Sequence, residues 1–338
     1  MTDSYGKARE WCNLLPDESL DVCEENLELF FQTMYERQEI WYKRFILKQP
    51  SPWTENEIFA NYKFTNVYRE LDRNSQYLIH NVILKETNRK ELIWKILFFR
   101  YFNNPNTNRF FESVKPEWVG GVPSIAQYDQ DEHTTLIQYL REAGENPFTN
   151  AYLINSMACP GKTRDWCYTQ NIIPTLHRKI DELNMVLLKS KTPEDIVKYL
   201  LSLPGVANFI AHEFYQDFTY VPIYTNKKLM QFDQNDWTNV GPGADLGIRL
   251  IFPSLKRKDK INAIYWLRDL SSEYLAKYGD FKYLNWDKEK GGYYVTPGVG
   301  SLSLHPMEMY LCEFQKYWKM MIKEGKQRSK FIPKTIVK

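Results

Sequence analysis

From Leu20 to Phe45, apolar side chains recur at three- and four-residue intervals (Leu27, Phe30, Phe31, Met34, Ile40, Trp41, Phe45). That is the stripe of a long amphipathic helix. The same period predicts helices at 66–84, 89–103, 133–144, 170–190, 193–203, 206–219, 261–279 and 304–323. Thr192-Pro193-Glu194-Asp195 supplies the cap, the N1 proline and the early acids of a helix start. Strand-like alternation is scarce, and only Gly291-Gly292-Tyr293-Tyr294-Val295 predicts a small hairpin edge. Loops rich in Pro, Gly and Asn fall near 49–56, 103–108, 115–125, 144–149, 157–163 and 286–300. The fold class is therefore mostly α. A single helical domain spans 20–325, with lobes 20–165 and 170–325 around a cleft, and a basic tail follows at 326–338.

Composition changes this picture little. At 43% hydrophobic over 338 residues the chain can bury a sizeable core. Aromatics make up 15%, too many for one site, so most belong to that core. Tyr and Trp also suit base stacking. A net charge of +2 creates no global field for a polyanion, so DNA would need a local basic patch. Lys256-Arg257-Lys258-Asp259-Lys260 and the tail from Lys316 to Lys338 are the two patches; the first also reads as a solvated loop, and the tail reads first as a loose terminus. Cys12, Cys23, Cys159, Cys167 and Cys312 form no CxxC pair and no zinc-finger spacing. With no secretion signal and no apolar run of membrane-spanning length, they predict reduced thiols in a cytoplasmic protein without a membrane partner.

Several segments carry candidate chemistry. Leu203-Pro204-Gly205-Val206-Ala207-Asn208-Phe209-Ile210-Ala211 reads as a helix end, a tight turn and a new helix. Backbone N–H groups at such a helix start suit a DNA phosphate, with Gly205, Val206 and Ala207 as the contacts. On these nine residues alone, a plain helix corner is the stronger reading. Within 64–77, a helical reading places Asn66, Arg69, Asp72, Arg73 and Gln76 on one face. That face is either solvated or a planar-side-chain recognition surface. Glu213 and Asp217 lie four apart with His212 beside them, a spacing open to acid–base work, to cation stabilisation, to metal binding or to a simple helix surface. Gly241-Pro242-Gly243-Ala244-Asp245-Leu246-Gly247 is a glycine-rich turn, so Gly241 and Gly243 could approach a phosphate, or the turn could simply precede a buried element. Glu308, Cys312, Glu313 and Lys316 share one predicted helix. Gly161-Lys162-Thr163 resembles the end of a Walker A loop, but position 156 is Ser where that motif needs Gly.

These segments occur in a familiar order: Phe64 to Gln76, then Asn150-Ala151-Tyr152, then Phe209 to Glu213 with Asp217. Gly241-Pro242-Gly243 with Gly247 follows, and last come Glu308, Leu311-Cys312-Glu313-Phe314 and Lys316-Tyr317. The set resembles the alpha-glutamyl/putrescinyl-thymine pyrophosphorylase family and the related helical domain of hydroxymethyluracil DNA kinases, over roughly residues 25–320. The resemblance implies hypermodified pyrimidines in phage DNA and a fold akin to helix-hairpin-helix DNA glycosylases. Those glycosylases keep an Asp just after a Pro-Ile pair. Here Pro222-Ile223 is followed by Tyr224-Thr225-Asn226.

The leading expectation is a DNA glycosylase that flips out and excises a bulky hypermodified pyrimidine, leaving an abasic site. Asp217, then Asp72, with Glu213, would supply the catalytic carboxylate. Asn66, Arg69, Arg73, Gln76, His212, Glu308, Glu313 and Lys316 would bind the base. No metal or cofactor is needed in that scheme. The alternative is a transferase in which an amine displaces pyrophosphate from an activated 5-hydroxymethylpyrimidine, with Mg²⁺ as a possible helper. A third reading is an inactive DNA-binding module. In each case the expected partner is double-stranded DNA with modified pyrimidines, bound by a monomer.

Overall fold

Asparagine and threonine caps set many of the helix starts. The computed structural model describes residues 21–149, 158–256, 259–324 and 330–331. It divides into two units, one formed by Met1–Asp72 with Trp237–Lys338 and the other by Arg73–Asp236. The chain thus divides at 72/73 and 236/237, whereas the sequence suggested a boundary between 165 and 170.

In the first unit, α1 (Glu24–Trp41) carries the predicted stripe and buries Leu27, Phe30, Phe31 and Met34. A short π-helical turn, Tyr42–Ile46, ends it. Helix α2 (Glu57–Asn61) starts where the Asn56 side chain accepts from Ile58 N and Phe59 N. The central packing belongs to three later helices: α11 (Pro242–Ile251), α12 (Lys260–Ala276) and α13 (Leu304–Met321). Ile248, Ile251, Ile264, Leu267, Met307, Tyr310, Leu311 and Phe314 close over the α1 stripe. Phe30 meets Tyr310 and Phe314 edge-on, with ring centroids 5.6 and 5.4 Å apart. Each such buried aromatic contributes about 1.5–3 kcal/mol. Strands β1 (Lys282–Asp287) and β2 (Gly292–Pro297) pair antiparallel with Leu284 opposite Val295, so the predicted hairpin forms.

In the second unit, α3 (Arg73–Asn81), α4 (Arg89–Phe102), α5 (Pro105–Val114) and α6 (Gln130–Glu142) come first. Helices α7 (Arg164–Cys167), α8 (Ile173–Lys189), α9 (Pro193–Leu200) and α10 (Asn208–Tyr224) follow. Helix α4 is buried nearly all round, from Leu92 to Phe102. Its partner faces come from Leu176, Ile180 and Leu183 on α8 and from Phe214 and Phe218 on α10. Thr192 and Asp195 form the predicted reciprocal capping box at the start of α9.

Two expectations about the chain's periphery change. Cys159 and Cys167 form a disulfide, while Cys23 and Cys312 are free, so the thiols are not all reduced as expected. Lys330 bridges to Tyr62, and the Phe331 ring lies against Trp53, so this part of the basic tail is tied down. Asn150-Ala151-Tyr152, Arg257-Lys258 and most of 326–338 lie outside the described residues. Among those described, no helix is long and apolar enough to cross a membrane.

Candidate functional site

The polar face foreseen on a single helix over 66–84 is broken at its middle. Arg69–Leu71 is one 3-10 turn, Asp72 is extended (φ −75°, ψ 146°), and helix α3 begins only at Arg73. The cause is local hydrogen bonding that competes with a helical ladder. The Asp72 Oδ1 accepts from the Asn66 backbone N–H at 3.2 Å and from Asn66 Nδ2 at 2.8 Å, pulling the segment into a turn. Arg37 of α1 fixes Asn66 from the other side, donating from Nη2 to Asn66 Oδ1 at 2.7 Å and to Phe64 O at 3.3 Å. Asn66, Arg69 and Asp72 therefore stay in the first unit. Arg73 and Gln76 belong to the second, where Arg73 donates to Asn106 at 2.7 Å.

Helix α13 brings the C-terminal candidates to the same cluster. The Glu313 Oε2 accepts from the Thr65 backbone N–H at 3.2 Å, and its Oε1 pairs with Lys316 at 2.5 Å. Glu308, one turn and a half earlier, accepts from Gly241 N at the start of α11 at 3.4 Å. The Gly241 N–H is thus directed at a protein carboxylate. Gly243 and Gly247 have a packing reason: a Cβ on Gly243 would meet Cys312 Sγ at 2.8 Å, and one on Gly247 would meet Leu311 O at 2.4 Å. The expected phosphate-binding turn is a helix start pressed against another helix.

The electrostatics are unusual for carboxylates. Burial pushes Glu308 up to about 7, against the pull of the Gly241 N–H and of Arg69. Glu70 also rises to about 7, chiefly by burial, with Asp72 adding to the rise. Asp72 rises to about 6, again by burial, while its Asn66 N–H bond, Arg69 and Arg37 oppose the shift. These groups sit between acid and carboxylate near neutral pH, the condition for proton exchange with a substrate. Arg37 and Glu70 were not foreseen as members. Arg37 lies in a helix read only for its apolar stripe, and Glu70 lies within the 64–77 segment but off the polar face read there.

The second unit holds the other candidates. Glu213 and Asp217 do share one face of α10, but it is an inner face, and both are buried with His212. Arg100 binds Asp217 through Nε and Nη2, both at 2.6 Å. His212 Nε2 lies 3.2 Å from the Gln216 amide. The hairpin forms as read: Gly205 has φ 76°, Val206 N donates to Leu203 O, and no side chain caps the start of α10. Helix α10 runs past the predicted end at 219, through Pro222-Ile223 to Tyr224, where Thr225 bonds back to Val221 O. Among the described residues, no three His, Cys, Asp or Glu side chains converge as a metal site.

The family model for the helical domain of 5-hmdU DNA kinase matches residues 24–327, almost the whole described chain and every member of the Asp72 cluster. The chain belongs to that family. It is 28% identical over 302 residues to a 5-hmdU DNA kinase of Bacillus phage SP10, which covers 86% of this chain. The chain spans only 44% of that relative's length. No solved structure matches it. This membership overturns the glycosylase reading: the relative is a transferase, not a hydrolase that excises bases.

Proposed function

We propose that this protein is a transferase acting on DNA that carries 5-hydroxymethyluracil-derived bases, replacing an activated 5-hydroxymethyl oxygen with an amine. The amine nitrogen attacks the exocyclic methylene carbon, the carbon–oxygen bond to pyrophosphate breaks, and the amine proton passes to a carboxylate. Asp72 and Glu308 are the assigned proton acceptors, and Arg69 and Lys316 are assigned to the leaving pyrophosphate. Asn66, held by Arg37 and Asp72, is assigned to the base edge. The hairpin at Gly205–Ala207 is assigned to a backbone phosphate.

One observation carries this reading: buried carboxylates raised to about 6 and 7 are gathered with Arg69 and Lys316 on segments that the family match covers. The resemblance of the same segments to the thymine pyrophosphorylase family supports the direction of the chemistry.

The test incubates the purified chain with DNA containing pyrophosphorylated 5-hydroxymethyluracil and a panel of amines, followed by mass spectrometry of the nucleosides. A base that gains the amine, with stoichiometric pyrophosphate release, is expected. A parallel arm supplies ATP and DNA containing 5-hydroxymethyluracil. A phosphorylated base there, with no amine product in the first arm, would replace this reading with phosphoryl transfer.

A further inference from the structure

The second unit carries a groove of about 420 Å³ between α6, α7 and the π-helical turn Tyr168–Ile172. Its lining includes Thr134, Gln138, Arg141, Trp166 and Gln170. The segment on its rim is closed on itself by the Cys159–Cys167 disulfide and displays Lys162 and Trp166. Trp94 and Trp118 are fully buried, yet Trp166 is 42% exposed. Part of the indole is therefore open to solvent at the mouth of the groove. The Lys162 ammonium stands over one face of that ring, 5.0 Å from its centre, so a stacked base would take the opposite face.

The walls are fixed by contacts of their own. Arg141 binds Asp165 through two hydrogen bonds of 2.8 Å. Gln170 accepts from Gln130 at 2.8 Å and donates to Thr134 at 3.2 Å. Gln138 is exposed on α6, one turn after Thr134, and its amide offers both a donor and an acceptor. A stacking face, an adjacent cation and an amide on a rigid wall match the parts of a nucleotide.

We propose that this groove binds a nucleobase together with its phosphate, the base stacked on Trp166, its edge met by Gln138 and the phosphate neutralised by Lys162. Glu142 on the same rim repels further phosphates, so the groove takes one nucleotide and not a tract. The source of that nucleotide, a strand of the DNA substrate or a free nucleotide, rests on the transferase reading above.

The experiment uses the full chain and its Trp166→Ala, Trp166→Phe and Lys162→Gln variants, with thermal midpoints as folding controls. Affinities are measured for a single-stranded oligothymidylate and for free thymidine monophosphate across a salt series. Trp166→Ala is expected to weaken binding at least about fivefold, as loss of one base stack does, while Trp166→Phe keeps most of it. Lys162→Gln is expected to lower the salt slope for the oligonucleotide by about one. A loss confined to the free nucleotide identifies that source, and a loss confined to the oligonucleotide identifies the strand. Unchanged affinity of Trp166→Ala for both overturns the proposal. If the wild type makes no product from modified DNA while Trp166→Ala still loses affinity, the transferase reading fails and the groove stands. If product forms and Trp166→Ala binds normally, the groove fails alone.

Discussion

Arg100 and Asp217 meet as a two-pronged ion pair, with both nitrogen–oxygen distances 2.6 Å and neither side chain more than 1% exposed. Asn103 and Ser75 also accept from the same guanidinium. Such a pair is a structural clamp, because removing one partner strands a buried charge at a cost of about 3–5 kcal/mol. Asp217→Asn is therefore expected to lower the urea midpoint sharply, whatever it does to turnover. Arg100→Met with Asp217→Leu, which removes both charges, should recover much of that loss. A single Asp217→Asn variant of unchanged stability would refute the clamp.

Glu308 predicts a stability that falls as pH rises. Its folded value of about 7 lies above the ordinary 4.5, because burial disfavours the charged form. The folded state therefore holds a proton that the unfolded state has released. This contribution is fully present below about pH 4.5 and is lost as pH climbs through 7, to a total of about 3 kcal/mol. Glu308→Gln keeps an oxygen for Gly241 N and cannot ionise. Denaturant midpoints between pH 5 and 8 should fall for the wild type and fall less steeply for the variant, in which Glu70 and Asp72 still titrate.

His133 sets the opposite limb. Its ring is fully buried among Phe98, Phe102, Phe111 and Tyr128, and neither nitrogen has a hydrogen-bond partner among the described residues. Burial pushes it down to about 3. Between pH 6.5 and 3 the unfolded chain takes up a proton that the folded chain refuses, so stability is present above 6.5 and lost on acidification. By pH 4.5 the loss amounts to about 3 kcal/mol. His133→Phe should remove this acid sensitivity in pH-jump unfolding while leaving the alkaline limb of Glu308 in place.

Much of the helical frame was legible because apolar period dominates where a stripe faces a core, as in α1 and α8. The exceptions have physical causes. Helix α11 read as a turn because Gly241, Gly243 and Gly247 are poor helix formers, and only the neighbouring α13 explains them. The 66–84 helix failed because the bond from Asn66 to Asp72 lies outside any periodicity rule. Asn66, Arg69, Asp72, Glu308, Glu313 and Lys316 were singled out by helical spacing and by the family resemblance, and the fold places all six in the first unit. Asp217 looked like a surface or catalytic carboxylate because its partner Arg100 is 117 positions away.

The α11–α13 approach gives a packing prediction. Gly247→Ala would drive a methyl to 2.4 Å from Leu311 O, a rigid backbone atom. Gly243→Ala meets the Cys312 side chain at 2.8 Å, which can be trimmed. Overpacking of this kind costs about 1–3 kcal/mol. Gly247→Ala should be the worse of the two, and Cys312→Ala should relieve Gly243→Ala but not Gly247→Ala. A double-mutant cycle on thermal midpoints reads both, and equal rescue of the two would contradict the geometry.

Arg37 offers the sharpest probe of the Asp72 cluster, because it touches Asn66 and acts on Asp72 through charge alone. Its guanidinium lowers the Asp72 value against the dominant rise from burial. Arg37→Ala should therefore raise Asp72 further above about 6, so that it stays protonated to higher pH. If Asp72 accepts the amine proton, the acidic limb of kcat against pH must move upward in that variant. Arg37→Lys keeps the charge but loses the planar donor pair to Asn66 and Phe64, so its limb should stay near the wild-type position while KM for modified DNA rises. An acidic limb that stays in place in Arg37→Ala would assign the titrating base to Glu308, on which Arg69 rather than Arg37 acts, and leave Arg37 as a support for the Asn66 turn.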